Sequence, residues 1–264
     1  MTRMTFVDAE AYEQLMGRWS RRLAPLLIEF AEVREGDRVL DVGSGTGSLA
    51  LAVNAARASE VIGIDPSAAF VEHARTRTAD PRVRFDVGDA QMLAYPDASF
   101  DKCLALLVMN FIPDARKAVA EMRRVTRPGG RVAAAVWDYG DGMTMLRAFW
   151  DAAVALDPAA EPRHERYMPY CRKGQLSLLW TETGFREVQE TSLTISLEFA
   201  SFDDFWSPFR GGQGSSGAYL TSLPPERRRA LHARLLKELS NGRPEEPLTM
   251  EARAWAARGS THQG

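Results

Sequence analysis

The residues from Asp41 to Gly47 join an acidic group to three glycines at alternate positions, Asp-Val-Gly-Ser-Gly-Thr-Gly. Glycine lets the backbone turn sharply and lets a ligand approach where any Cβ would collide. The apolar run 39–42 predicts a buried strand. The helix predicted from Ser48 would leave its first amide N–H groups free for the ligand. The segment is therefore predicted to be a ligand-binding strand, turn and helix, and a glycine-rich turn that binds nothing is the alternative.

The spacing of these glycines bears on the identity of the ligand. A dinucleotide fingerprint requires G-x-G-x-x-G. Counting from Gly43 and Gly45 places Ser48 at the third glycine position, and Gly47 comes one residue early. The pattern therefore fits NAD imperfectly.

A second acidic residue, Asp65, ends a predicted strand at 60–65. It lies roughly 20 residues beyond the glycines, where a βαβ unit delivers a carboxylate beside a ribose. This device alone does not separate the classes of nucleotide-binding protein. The alternative is that Asp65 only caps the helix that Pro66 and Ser67 begin.

A third acidic residue, Asp89, lies near the end of the predicted strand 83–90, in the sequence Gly88-Asp89-Ala90-Gln91. Alone, this segment is typical of an ordinary turn. Within residues 37–137, however, four segments in order resemble the signatures of the class I S-adenosylmethionine (SAM)-dependent methyltransferases, in the broad group that includes the quinone C-methyltransferases. These are Asp41 to Gly47, Asp65 at the end of its strand, Gly88-Asp89-Ala90 before Phe100-Asp101, and Arg127-Pro128-Gly129-Gly130 before the fifth strand.

The resemblance implies a fold and a cofactor. The fold is α/β, with a Rossmann-like seven-stranded, mostly parallel sheet, helices on both faces, an antiparallel last strand and helical insertions. SAM is the implied cofactor, with Asp65 accepting from both ribose hydroxyls and Asp89 from the adenine amino group. The implied cofactor-binding residues are Arg18, Trp19, Asp41, Gly43, Ser44, Gly45, Asp65, Pro66, Ser67, Gly88, Asp89, Ala90, Gln91 and Leu106.

The N-terminal segment 8–33 is predicted to be helical because its apolar residues recur three and four positions apart. Pro25 should divide it into two helices. Related methyltransferases often lay such a helix over the cofactor. The resemblance thus implies that Arg18 pairs with the SAM carboxylate and that Tyr12 or Trp19 lines the acceptor pocket. Core packing explains the aromatic residues equally well.

The chain is predicted to be one methyltransferase domain, 1–264. Its parts are an N-terminal helical lid at 8–33, a SAM-binding core at 37–138, an acceptor-side loop at 139–172 and a cap insertion at 201–246. The cap holds aromatic residues and a glycine-rich run, 211–217, that is expected to be flexible and to let the cap close over an acceptor. Alternatively, the aromatic residues only anchor the insertion. The predicted acceptor-binding residues are Tyr12, Phe111, Trp206, Phe209 and Arg210.

No residue is assigned as a catalytic base. Methyl transfer mainly requires that the acceptor be positioned in line with the methyl group, and an acidic acceptor such as a phenol also needs a base. His164, Tyr167 and Asp138 are the candidates. The segment 157–170 is predicted to be a proline-interrupted loop, either part of the acceptor pocket or, as the sequence favours, a plain surface loop.

Composition argues against several classes of partner. The formal net charge of −2 gives no general attraction to nucleic acid or to an anionic membrane. Cys103 and Cys171 suggest reduced thiols, and no zinc-ligand spacing is present. No run approaches the roughly 18 apolar residues of a membrane span, and the acids in residues 1–10 argue against a signal peptide. We therefore expect a cytoplasmic monomer or homodimer.

Three functions stay open on the sequence. The first is methyl transfer from SAM to a small, hydrophobic or aromatic acceptor. The second is methylation of protein or RNA, for which the basic face of a predicted helix at 225–237 is the only support. The third is SAM binding without methyl transfer. Ser48 and Gly88-Asp89-Ala90 disfavour a nicotinamide dehydrogenase.

Overall fold

The computed structural model describes residues 8–262. In this part of the chain seven strands form one sheet in the order β3-β2-β1-β4-β5-β7-β6. The strands are β1 (Arg38–Val42), β2 (Glu60–Asp65), β3 (Val83–Val87), β4 (Phe100–Leu106), β5 (Thr126–Trp137), β6 (Arg186–Phe199) and β7 (Leu248–Ser260). Strands β1 to β5 pair in parallel, and β7 is antiparallel to β5 and β6. The predicted Rossmann-like sheet with an antiparallel last strand is confirmed.

Helices and short turns connect the strands. The helices are α1 (Ala9–Tyr12), α2 (Arg18–Phe30), α3 (Ser48–Ala55), α4 (Ala68–Thr76), α5 (Ala115–Val125), α6 (Thr144–Leu156), α7 (Gln175–Glu182), α8 (Phe202–Trp206), α9 (Gly214–Ser222) and α10 (Pro225–Ser240). A π-helical turn spans Glu13–Gly17, and 3₁₀ turns span Pro158–Arg163, Glu165–Tyr167 and Ser207–Gly211. No helix of residues 8–262 is long and apolar enough to cross a membrane.

The sequence pattern explains the buried centre of the sheet. Strands β1, β2 and β4 are buried along nearly their whole length, as the near-continuous apolar runs of a parallel sheet covered on both faces require. Helix α5 buries one face, on which Ala115, Ala118, Val119, Met122 and Val125 recur at helical spacing. Residues 1–7, which include part of the segment used to argue against a signal peptide, lie outside the described residues.

The expected helix break at Pro25 is wrong. Helix α2 runs through Pro25, and the irregularity lies earlier, in the π-helical turn. Pro25 is exposed, so water can satisfy the carbonyl that loses its amide partner. Leu23 and Leu27, which are fully buried, hold the helix against the core on the opposite face.

Two segments expected to be irregular are ordered. The run 211–217 was predicted to be flexible, but α9 begins at Gly214. A Cβ on Gly217 would lie 2.8 Å from the carbonyl carbon of Gly212, so close backbone packing explains the glycines. The segment 157–170 likewise contains two 3₁₀ turns where the sequence favoured a loop.

The parallel strands bring the predicted chemistry to one edge of the sheet. The turn after β1, Asp65 of β2, the segment after β3 and the segments after β4 and β5 all follow the carboxyl ends of neighbouring strands. Ligands bind at this edge in open α/β sheets. The sequence motifs, which are spread over residues 37–138, therefore meet at this one edge of the sheet.

Candidate cofactor and acceptor site

The glycine turn after β1 is fixed by backbone contacts. Its Gly43 and Ser44 amides donate to the Ile64 carbonyl at 2.8 and 3.0 Å. Gly43 has φ +71°, and a Cβ there would lie 2.4 Å from Cγ2 of Val108. Gly45 has φ +53° and nothing within 4 Å of its Cβ position. Gly43 thus permits close packing, whereas Gly45 leaves an open face on which a ligand can lie.

Asp41 lies buried beneath this turn. Its Oδ2 accepts from the Ala50 amide of α3 at 3.0 Å, and burial raises the pKa of the carboxyl group to about 8. Asp41 Oδ1, Ser44 Oγ and Ser48 Oγ are buried and lack a partner within residues 8–262. Buried polar atoms are normally hydrogen-bonded, so the turn contains polar atoms that a bound ligand or water can satisfy.

Asp65 lies at the carboxyl end of β2, against the glycine turn. Its Oδ2 accepts from the Gly45 amide and its Oδ1 from the Ser67 amide, both at 2.9 Å. Burial raises the pKa of Asp65, and these two hydrogen bonds oppose the shift. Each carboxylate oxygen has a second acceptor site for a ligand hydroxyl. The next residue, Pro66, is exposed, and Ser67 caps α4 by accepting from the Phe70 amide.

Asp89 is an exposed acid beside two exposed apolar side chains. It accepts from the Gln91 amide at 2.8 Å and from its side-chain amide. The amide hydrogen bond is the main cause that lowers the pKa of Asp89. Val87 and Met92 nearby in sequence are 55% and 74% exposed. An acceptor for an amino group thus lies in a segment with apolar surface that a flat ring can cover.

The remaining core residues support this edge. The Gly88 amide donates to the Asp65 carbonyl at 3.1 Å, and Ala90 and Leu106 are almost buried. Leu107, directly after β4, has φ +62°. A left-handed conformation of a large residue stores strain and is common at functional sites. It marks the turn that faces the glycine turn through Val108.

Glu13, in the π-helical turn, reaches the glycine turn and is absent from the sequence-based predictions. Its carboxylate contacts the Thr46 hydroxyl and the Arg21 guanidinium. Arg77 lies 3.5 Å from the same carboxylate and donates to the Thr46 carbonyl at 2.9 Å. A Cβ on Gly17 would lie 2.4 Å from Glu13 Cδ, so Gly17 makes room for this side chain. Its position in the helical segment predicted at 8–33 is the only signal in the sequence that points to Glu13.

Comparison with known proteins identifies the family of this site. Residues 40–134 match the family of methyltransferase domains. A segment of 130 residues is 39% identical to the 27-O-demethylrifamycin SV methyltransferase of Amycolatopsis mediterranei (strain S699), covering 48% of this chain and 46% of that protein. Residues 40–134 therefore carry a methyltransferase domain, as the resemblance to the class I SAM-dependent methyltransferases implied.

Solved structures show the same fold. The YcgJ protein from Bacillus subtilis aligns over 92% of this chain and 99% of its own, with a TM-score of 0.59 and 23% identity. The [4+2]-cyclase SpnF aligns over 92% and 81%, with a TM-score of 0.55 and 23% identity. The chain spans about half the length of the curated relatives it matches, so substrates do not transfer from them to this methyltransferase.

SAM is the cofactor of this family, and the residues present fit it. The open face at Gly45, the unpartnered Ser44 Oγ and the carboxylates of Asp65 and Asp89 lie along the carboxyl edge of β1, β2 and β3. As predicted, Asp65 would hold the ribose and Asp89 the adenine amino group, while the Gly45 face and Ser44 Oγ, predicted as cofactor contacts without a named part of SAM, would adjoin its methionine part. Such roles remain predictions for each residue.

Arg18 joins the N-terminal segment of the methyltransferase to the cap insertion. Its guanidinium donates to Asp204 Oδ1 at 2.8 Å and to the Asp204 carbonyl at 3.1 Å, and it lies 4.3 Å above the Trp19 ring. Pairing with the SAM carboxylate would require Arg18 to leave Asp204. Trp19 is 1% exposed, and its ring lies 5.2 Å from that of Phe199. This environment agrees with the alternative that Trp19 packs in the core.

A buried polar cluster lies on the acceptor side, after β4 and β5. Burial raises the pKa of Tyr139, and the nearby Glu165 and Tyr12 raise it further, while a hydrogen bond with Asn110 opposes the shift. Asn110 is 5% exposed, its Nδ2 also lies 3.5 Å from the Met168 sulfur, and its Oδ1 has no partner in the described part of the chain. Sequence reasoning missed Asn110, Tyr139 and Glu165 because no motif links them.

Two of the predicted base candidates are engaged elsewhere. Asp138 is buried and accepts from Arg253 Nε and Nη2 at 3.0 and 2.6 Å, so it ties β5 to β7. Tyr167 is 53% exposed, and its hydroxyl donates to Glu161 at 2.7 Å. Both groups are thus held in contacts with other side chains of the protein.

The third candidate, His164, lies beside a stronger one. The His164 ring stacks on Trp150 and its Nδ1 accepts from the Arg166 amide at 3.0 Å; burial lowers its pKa to about 4. The adjacent Glu165 is 4% exposed. Burial raises the pKa of Glu165 to about 7, while hydrogen bonds from Trp150 Nε1 and the Ser216 amide, among others, lower it. Glu165 therefore has the proton affinity that a base near neutral pH requires.

The predicted acceptor-binding residues have different environments. Tyr12 packs its ring 5.6 Å from that of Phe70 and lies near Asp65, and Phe111 is half-buried. Phe209 is fully buried and stacks on Phe149 at 4.7 Å. Trp206 and Arg210 instead line a groove in the cap insertion. Their role in acceptor binding stays a prediction.

Proposed function

We propose that this protein transfers the methyl group of SAM to a small acceptor that is hydrophobic or aromatic. The observation that carries the proposal is the open face of Gly45, flanked by the carboxylates of Asp65 and Asp89 on one edge of the sheet. The aromatic residues of the cap insertion support an apolar acceptor. Bound SAM supplies a methyl group that its sulfonium activates for transfer.

The residues of the chain would then position the acceptor. Asn110 presents an unpartnered buried carbonyl oxygen near the Tyr139 hydroxyl, and this pair suits the polar group that receives the methyl. A buried carboxyl group with a pKa about 7, Glu165, suits removal of a proton from an acidic acceptor. Asn110 and Tyr139 are thus proposed as positioning residues and Glu165 as the base.

A second candidate function is catalysis or binding with SAM but without methyl transfer. The [4+2]-cyclase SpnF has the same fold, so the fold is compatible with a different reaction. Methylation of RNA or protein has less support, because the basic residues of α10 are partly neutralised: Arg227 pairs with Asp157 and Arg234 with Glu238. Product analysis separates these candidates.

Calorimetric titration of the purified protein with SAM, S-adenosylhomocysteine and NAD tests the cofactor. The variant Asp89→Ala removes an exposed acid that bonds only to Gln91, and we expect roughly tenfold weaker binding of both adenosyl ligands. Asp97→Ala, an exposed acid in the same segment that pairs with Arg124, is the control and should bind normally. NAD binding without SAM binding would refute the assignment.

Incubation with SAM and a panel of phenols, quinols and enols, followed by mass spectrometry, tests the transfer. We expect a mass gain of one methyl group on a small acceptor. Glu165→Gln should lower turnover, most at high pH, with SAM affinity unchanged. SAM binding with methylation of RNA or protein instead, or with no methylated product, would refute the small-molecule assignment while leaving cofactor binding intact.

A further inference from the structure

A groove in the cap insertion lies between α8, α9 and α10. Its volume is about 690 Å³, which is within the range of small-molecule sites, about 300–1,000 Å³. It is lined by Trp206, Arg210, Leu220, Thr221, Arg228, Arg229 and His232. No acidic residue lines it, so its charge is strongly positive although the whole chain carries −2.

The floor of the groove is apolar and rigid. Trp206 and Leu220 are 6% and 1% exposed. The His232 ring lies edge-on to Trp206 at 5.2 Å and to Phe202 at 5.1 Å. These contacts fix an aromatic surface against which a flat or apolar body can pack.

The cations at the groove are not neutralised as their neighbours are. Arg228 donates to the carbonyls of Leu223 and Thr221, at the end of α9. Arg210 and Arg229 have neither an ion pair nor a hydrogen bond within residues 8–262. On the same helix, by contrast, Arg227 pairs with Asp157 at 2.7 Å and Arg234 with Glu238 at 2.8 Å. The unpaired guanidinium groups are those that line the groove.

The helix itself adds to the positive potential. Arg228 and Arg229 lie in the first turns of α10, which begins at Pro225. The N-terminus of a helix carries a partial positive charge that disfavours cations. Glu226 is the one acid in the first turn and does not line the groove, so the arginines that do are stabilised when an anion binds, and guanidinium groups suit a carboxylate, sulfonate or phosphate.

We propose that this groove binds a small organic anion, whose aromatic or other apolar body packs on Trp206 and whose acid group pairs with Arg210 and Arg229. None of the residues that line the groove is assigned to the cofactor, and the proposal does not depend on the proposed methyl transfer. Charge complementarity and the apolar floor together select an amphipathic acid over a free inorganic ion or a neutral compound.

Fluorescence titration with anilinonaphthalene sulfonate tests the proposal on the purified full chain. Its neutral analogue phenylnaphthylamine has the same rings without the acid group. We expect saturable binding of one sulfonate per chain and weaker binding of the neutral analogue. Arg210→Ala with Arg229→Ala should weaken the sulfonate by roughly tenfold or more and leave the neutral analogue unchanged. The control pair Arg227→Ala with Arg234→Ala removes the same charge from the same region and should have no such effect.

Several results would overturn the proposal. Equal affinity for the two probes would show that the sulfonate group does not contribute to binding. An equal loss of sulfonate affinity in the control pair would show that only the net charge of the protein matters. Displacement of the sulfonate by S-adenosylhomocysteine would place the probe in the cofactor site. Tighter competition by a single-stranded RNA would assign the arginines to nucleic acid. Near-ultraviolet circular dichroism of each variant checks that the cap stays folded.

Discussion

The cofactor side of the site is built mainly from backbone, whereas the acceptor side is built from side chains of distant segments. On the cofactor side, amides of the glycine turn donate to Ile64 and to Asp65. On the acceptor side, Glu165 accepts from Trp150 and from the start of α9, and Arg18 pairs with Asp204 across 186 positions. A backbone conformation can be recognised from a short local motif in the sequence, whereas long-range side-chain contacts produce no such motif.

The two sides also differ in how they respond to change. The cofactor side is anchored to the centre of a parallel sheet, where backbone hydrogen bonds and buried apolar strands fix it. The acceptor side relies on a few polar contacts among α6, the 3₁₀ turn Glu165–Tyr167 and α9. We therefore expect substitutions that add volume to have the larger effect on the cofactor side. Substitutions that change charge should have the larger effect on the acceptor side.

The largest effect should come from Gly45→Ala on the cofactor side. The added Cβ enters the face along which SAM is proposed to lie, and nothing else is within 4 Å of it. We expect SAM affinity to fall at least about 100-fold, roughly 3 kcal/mol, with a modest loss of stability from the positive φ. Calorimetry measures the first effect and thermal unfolding the second.

Gly36→Ala is the matched control for backbone strain. Gly36 has φ +87° and also has nothing within 4 Å of its Cβ position, but it precedes β1 and lies at the other end of that strand. It should lose similar stability and bind SAM normally. If Gly45→Ala also binds SAM normally, the cofactor does not lie on the open face of Gly45. The description of the cofactor side would then be wrong.

This contrast explains what the sequence predicted. The glycine turn and Asp65 are predicted because a short motif and one βαβ length determine their positions, and the resemblance carried by the same motifs implies the Rossmann-like sheet that the structure has. Pro25 was misjudged because its effect depends on whether the helix face is exposed. The run 211–217 was misjudged because its glycines serve close packing of Gly217 against Gly212, which composition does not reveal.

The polar cluster on the acceptor side could not be predicted in the same way. The residues next to Asn110 and Glu165 in the sequence form no motif. The chemical properties of these two side chains come from their burial in the fold. Glu13 lies within a segment that was considered, but its contact with Thr46 depends on a π-helical turn that no residue pattern signals. These are tertiary properties, so the sequence alone identified the cofactor side far better than the acceptor side.

The next effect, at most of similar size, is expected for Glu165→Gln, which tests the acceptor side through pH. The pKa of Glu165 is raised by burial from 4.5 to about 7, so the folded protein binds more protons than the unfolded chain between these values. Its contribution is therefore fully present below the unfolded pKa and is lost as pH rises to about 7, by up to roughly 3 kcal/mol. The Gln variant should lack this decline.

Urea unfolding between about pH 5 and pH 8 measures the slope. Glu161→Gln, in the neighbouring 3₁₀ turn, is the control and should keep the wild-type decline. Asp41, whose pKa is also raised by burial, to about 8, contributes a slope of the same sign in every variant. An unchanged slope in Glu165→Gln would remove Glu165 as the group that titrates, and with it the proposed base.

The smallest effect concerns the contact between Glu13 and Thr46, where the N-terminal segment meets the cofactor side. If the segment closes over SAM as predicted, removing this contact should free the cofactor sooner. A double-mutant cycle with Glu13→Gln and Thr46→Val should give a coupling of about 1 kcal/mol in SAM affinity, seen as faster dissociation in stopped-flow measurements.

The control is a cycle on Arg22 and Glu198, an exposed pair 3.0 Å apart that anchors the same segment to β6. It should give no coupling. Equal coupling in both cycles would mean that the whole segment, and not its contact with the glycine turn, retains SAM. Zero coupling in the first cycle would leave the cofactor side independent of the segment above it, because a lid must share free energy with the ligand that it covers.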